Sequence, residues 1–129
     1  MELVRPHRSL RLLCAPLLLG VLMAGCSESP EDSPENRLAL AQQALTLTPD
    51  DPEIAEIYQR TCRSCHSTGA SAAPLTGDIA SWEPRLDKGM DVLVENAVNG
   101  FQGMPPLGLC FECSPKQFEQ LIAFMATAE

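Results

Sequence analysis

The five residues Cys62-Arg63-Ser64-Cys65-His66 constrain this chain more than any others in it. Two thiols three positions apart share one side of a helical turn. From there both sulfurs can reach the two vinyl groups on one edge of a porphyrin and form thioethers. The imidazole that follows at once then lies under the iron. Cys-x-x-Cys-His is the attachment signal of c-type haem. Only three of its five positions are specified, so the rest of the chain has to bear the reading out.

Composition adds an energetic argument. A length of 129 residues suits one domain. The portion from residue 51 onward is the candidate domain, and the whole chain holds one Trp, one Tyr and four Phe. A domain of that size rarely gains useful stability from side chains alone. A covalent haem would supply the apolar centre that the helices lack.

Residues 1–25 read as an export signal. Arg5, Arg8 and Arg11 precede an apolar run from Leu12 to Met23, too short for an ordinary spanning helix, and small residues lead into Cys26. The ending Leu22-Met23-Ala24-Gly25-Cys26 is similar to a bacterial lipoprotein cleavage box, with Met23 where Leu is usual. It makes Cys26 the candidate for lipidation, and the protein one held on the periplasmic side of a membrane by acyl chains. Residues 1–25 carry a net +2, so the remainder stands at −10 against −8 for the whole chain. That balance disfavours nucleic acid and favours partners with basic docking faces. Of six cysteines, Cys14 leaves with the signal, Cys26 takes lipid, and Cys62 and Cys65 take haem. The export address permits Cys110 and Cys113 to pair.

Residues 26–50 read as an acidic linker, with a tether over 27–35 and a short helix from about Asn36 to Thr46. Asp50-Asp51-Pro52-Glu53 is a helix start, and Ile54, Ile57 and Tyr58 then mark an apolar face leading into Cys62. Ser67 to Trp82 reads as a long wrapping loop, followed by a short helix at Trp82-Pro84-Arg85. Asp91 is expected to cap a helix through Val92, Leu93, Val94, Ala97 and Val98 that stops at Gly100. Ser114-Pro115-Lys116-Gln117 is a capping box before a stripe of Phe118, Leu121, Ile122 and Met125. The expectation is an all-α fold of three to five short helices around one haem.

The second axial ligand must come from elsewhere, because His7 leaves with the signal and His66 is the only other histidine. Met90, Met104 and Met125 lie downstream. Met125 belongs to the last helix's apolar stripe, and Met90 has no stiff neighbours. Met104 precedes Pro105 and Pro106, which bias it to extended backbone, and Gly100 and Gly103 are expected to let the chain approach the ring. His66 and Met104 are therefore the expected metal ligands. Cys110 and Cys113 have three readings: a structural disulfide, a redox-active pair, or half of a zinc site. The 44 residues that separate them from the first pair are far from a usual zinc spacing.

From about Ile54 onward the chain resembles a class I cytochrome c, and most of all the small bacterial cytochromes of the c-five type. The matching strings are Cys62-Arg-Ser-Cys-His66, Ala73-Pro74-Leu75, Ser81-Trp82-Glu83-Pro84-Arg85, Ala97-Val98-Asn99-Gly100, Gly103-Met104-Pro105-Pro106 and Cys110-Phe-Glu-Cys113. The resemblance implies one haem c on Cys62 and Cys65, His66 and Met104 as axial ligands, and a Cys110–Cys113 disulfide. It also implies the Pro74 carbonyl as acceptor for His66, with Trp82 and Arg85 beside the propionates. The function it implies is one-electron transport in a bacterial respiratory or periplasmic chain, not enzymatic catalysis. A haem-based ligand sensor and a thiol–disulfide protein using Cys110 and Cys113 are the rivals.

Overall fold

The computed structural model describes residues 33–128. The export signal, Cys26 and most of the acidic tether lie outside the described residues. Six α-helical segments run in order: α1 (Pro34–Ala44), α2 (Pro52–Ile57), α3 (Arg63–His66), α4 (Ile79–Leu86), α5 (Met90–Asn99) and α6 (Pro115–Thr127). α2 and α3 join through a π turn at Tyr58–Cys62 into one continuous rod, so the fold is all-helical, with five rods among the described residues. Among the described residues the only bridge of β type pairs Phe101 with Met104.

Local chemistry starts most of these helices. Asp51 caps α2 by accepting from the backbone N–H groups of Glu53 and Ile54, at 2.9 and 3.1 Å, and Pro52 fills the first turn. Ser114 and Gln117 form the expected capping box on α6. α1 begins two residues before the expected Asn36 and ends at Ala44, because Ser33 accepts from Asn36 N–H and Pro34 fills the first turn. α4 begins at Ile79, inside the stretch read as loop, because Asp78 caps it through Ser81 N–H at 3.2 Å. Asp91 does not cap α5. Gly89 holds that position at φ +91, and Asp91 sits in the first turn, facing the positive end of the helix dipole. Gly100 ends α5 at φ +81, as expected.

α6 is the spine of the core. Phe118, Leu121, Ile122 and Met125 are buried, and Phe124 and Ala126 widen the stripe. Phe124 packs edge-on against Tyr58 of the π turn, with ring centroids 5.0 Å apart. The fully buried Tyr58 hydroxyl hydrogen-bonds the Thr76 hydroxyl at 2.9 Å, which ties the rod to the loop after His66. α1 lies against the domain at its C-terminal end: Ala44 is fully buried, and the Arg63 guanidinium donates to the Leu45 carbonyl at 2.7 Å.

Candidate functional site

The π turn runs into the attachment motif and ends on its first cysteine. Arg63 N–H donates to the Tyr58 carbonyl, five residues back, and the Thr61 hydroxyl donates to the Ile57 carbonyl at 2.8 Å. Such bulges are frequent at functional sites. Here the turn leads Cys62 into a cavity of about 360 Å³. Cys65, His66 and Met104 line the same space. Neither motif thiol is engaged in a disulfide. Burial raises the Cys62 thiol above its ordinary pKa and so holds it protonated.

His66 is fixed from several sides. Its Nδ1 lies 2.9 Å from the Pro74 carbonyl oxygen. A carbonyl can only accept, so Nδ1 carries the proton and Nε2 keeps its lone pair. Burial lowers the imidazole's pKa, Arg85 pushes the same way, and the Pro74 bond opposes both. The ring is therefore held neutral, the form that binds a metal. It stacks on Trp82 at a centroid distance of 5.8 Å. The loop that supplies Pro74 is itself pinned: Thr76 N–H donates to the His66 carbonyl at 2.7 Å, Gly77 N–H to the Met125 carbonyl at 2.8 Å, and Trp82 Nε1–H to the Leu75 carbonyl at 2.8 Å.

Met104 reaches the cavity from a tight turn. Phe101 N–H donates to the Met104 carbonyl and Met104 N–H to the Phe101 carbonyl, at 3.1 and 2.9 Å. The glycines around it make close backbone contacts. A Cβ on Gly100 would lie 2.9 Å from Pro106 N, and one on Gly103 would lie 2.5 Å from the Ser71 carbonyl oxygen. Met125 also lines the cavity, from the buried stripe of α6, whereas Met90 packs on the core outside it.

Trp82 and Arg85 both line the cavity. The Trp82 N–H is committed to Leu75, and the Arg85 guanidinium donates to the Ser81 carbonyl one turn back. Lys88, which sequence reasoning missed, joins Arg85, and among the described residues these two cations are the only Asp, Glu, Lys or Arg in the lining. A mostly apolar chamber with two thiols, a neutral imidazole, a thioether and a cationic rim matches the chemistry of a haem, an apolar disc bearing two carboxylates. The residues present fit the group.

Cys110 and Cys113 form a disulfide, with Cα atoms 5.4 Å apart. That removes them as zinc ligands, and among the described residues no cluster of three His, Cys, Asp or Glu could hold a metal ion. Glu112, between them, pairs with Arg60 of the π turn, which lowers its carboxyl pKa. The π turn and the disulfide loop are thus tied together on the surface.

The family described as Cytochrome C oxidase, cbb3-type, subunit III matches residues 49–125. The chain is 36% identical over 73 residues to cytochrome c5 of Ectopseudomonas mendocina, covering 55% of this chain and 84% of that one. It is 40% identical to a mono-haem ferrocytochrome c from Shewanella putrefaciens, at a TM-score of 0.54, covering 63% of this chain and all of that one. A cytochrome c solved in an electron-transfer complex with nitrite reductase is 32% identical at the same TM-score, covering 60% of this chain and 95% of that chain.

Proposed function

This chain belongs to the class I cytochrome c family, resembling cytochrome c5, and on that premise we propose which of its residues hold the haem and how they serve electron transfer. The protein is a monohaem c-type cytochrome, an electron carrier with one covalent haem c. In this reading Cys62 and Cys65 would form the two thioethers, and His66 and Met104 would ligate the iron. The observation that carries the assignment is that these four side chains, drawn from two separate parts of the chain, line one cavity.

When bound, the haem supplies an iron that alternates between ferrous and ferric states. The chain's own contribution is to keep the ligands still and water out. Nδ1–H to Pro74 fixes the His66 ring and raises its basicity, and burial keeps the imidazole neutral. The paired bonds between Phe101 and Met104 hold the thioether in place. A thioether ligand raises the reduction potential relative to more electron-donating ligands. With His66 and Met104 both as ligands, the metal would offer small substrates no open site, which suits a carrier rather than an enzyme.

Redox proteins are the partners in this reading. The acidic balance of the chain favours basic surfaces on them at long range, while contact at the cavity mouth falls on the exposed side chains of Phe101 and Leu109. Residues 1–25 direct export, Cys26 carries lipid, and residues 26–50 link it to the carrier domain of residues 51–129, with the end of α1 packed on that domain. Among the described residues no helix is long and apolar enough to cross a membrane.

Two variants test the haem assignment. Cys62→Ala/Cys65→Ala should abolish covalent attachment, and a haem-stained band surviving a denaturing gel would refute it. Met104→His should lower the reduction potential while the haem stays low-spin; an unchanged potential removes Met104 from the iron. Cys26→Ala should move the protein from the membrane to the soluble fraction, and continued sedimentation with membranes counts against lipidation.

A further inference from the structure

After Met104 the chain makes a left-handed turn in which Leu107, Gly108 and Leu109 have φ values of 59, 52 and 67°. Left-handed backbone ordinarily favours glycine. Yet two of these three residues are leucines, so the backbone alone does not demand glycine in the middle. What marks Gly108 is its neighbour: a Cβ built there would lie 3.0 Å from Met104 Cε.

The turn cannot readily retreat from such a contact. Gly108 N–H donates to the Pro105 carbonyl at 3.0 Å, and Cys110 N–H to the Leu107 carbonyl at 2.8 Å. Cys110 is fully buried and is bonded to Cys113. The Met104 methyl, by contrast, ends a flexible side chain and has to give way. A thioether sulfur bound to a metal is pyramidal. It carries Cγ, Cε, the metal and one remaining lone pair, so it has a handedness. Where Cε lies decides which of the two lone pairs is donated.

We propose that Gly108 is a positioning residue whose missing side chain lets the Met104 methyl take one side, and so selects the configuration of the Met104 sulfur as a ligand. This inference rests on the reading of Met104 as an axial ligand. Gly108 lines the cavity but has no side chain to offer as a ligand. Its effect passes through the direction of the S–CH₃ bond.

The test uses covalently matured holoprotein: wild type, Gly108→Ala, Gly108→Asn and Met104→Ala. The readouts are the proton NMR position of the Met104 methyl in the ferrous state, its contacts to the ring, and the ferric near-infrared sulfur-to-iron band. Asn tolerates left-handed backbone but still brings a Cβ, so it separates contact from turn strain. Both Gly108 variants should move the methyl resonance, change which ring protons it contacts, and shift or weaken the band. A wild-type methyl position in both variants, or in Gly108→Asn alone, overturns the proposal. Met104→Ala keeps the two claims apart. If it removes the band while the Gly108 variants stay like wild type, only this inference falls. If the band survives Met104→Ala, the ligand reading falls with it.

Discussion

Gly103→Ala probes whether the Met104 turn is held by the close approach of two backbones. Gly103 has an ordinary φ, so alanine there meets no left-handed penalty, and its effect is purely steric. The new Cβ would lie 2.5 Å from the Ser71 carbonyl oxygen and 2.8 Å from Ser71 Cβ. The nearer atom belongs to backbone and cannot swing aside. Normal contact requires the two turns to part by roughly 1 Å, and overpacking of this kind costs about 1–3 kcal/mol. For a domain of this size each kcal/mol moves Tm by about 4–8 °C. Because Met104 is the next residue, the same movement should draw its sulfur back from the cavity. The assay is thermal unfolding of the holoprotein together with the ferric near-infrared band. The expected result is a fall in Tm of about 4–24 °C by the same relation, with a weakened band. Ser71→Gly is the internal control, since it removes the 2.8 Å contact but leaves the carbonyl one. Measured against Ser71→Gly alone, the double variant should recover only part of the loss. An unchanged Tm and band in Gly103→Ala would show that the two turns are not in the contact described, and the account of how Met104 is held would be wrong.

Two further predictions concern the core and the surface clamp. Tyr58→Phe leaves the buried Thr76 hydroxyl without its partner and should cost about 1–3 kcal/mol at neutral pH, read from denaturant unfolding. Burial raises the Tyr58 pKa above the ordinary 10.0, so the folded state favours the protonated phenol. Its contribution is fully present below pH 10 and is lost as pH rises from there through the folded value. Wild type should therefore lose stability in that alkaline range more steeply than Tyr58→Phe, and parallel curves would contradict the cause given for the shift. Cys110→Ala/Cys113→Ala opens a very short loop, for which the chain-entropy relation gives about 2 kcal/mol or less. Tm should drop modestly while electron-transfer rates with an inorganic oxidant stay close to wild type. A large loss of rate with an intact haem spectrum would restore a redox role for the pair.

Much of the site was legible because its signals are local. The haem motif occupies five consecutive residues, and the starts of α2 and α6 are written in Asp51-Pro52 and in Ser114 with Gln117, where a side chain satisfies an N–H two or three residues away. Such bonds need no partner from elsewhere in the chain, so spacing suffices to find them. The start of α4 was equally local but was masked by the run of small residues before it. Only the Asp78–Ser81 bond reveals it.

The sequence by itself determined the haem attachment chemistry, the helical character and the start of the spine, since each depends on residues within a turn of one another. The tertiary structure decided what those parts face. It inserted the π turn that ends on Cys62, paired Arg60 with Glu112 across 52 positions, brought Lys88 to the cavity beside Arg85, and set Gly108 under the Met104 methyl. None of these has a periodicity or a spacing to read. Each is settled by which surfaces close-pack once the helices have met, and a single added carbon at such a contact is felt across the fold.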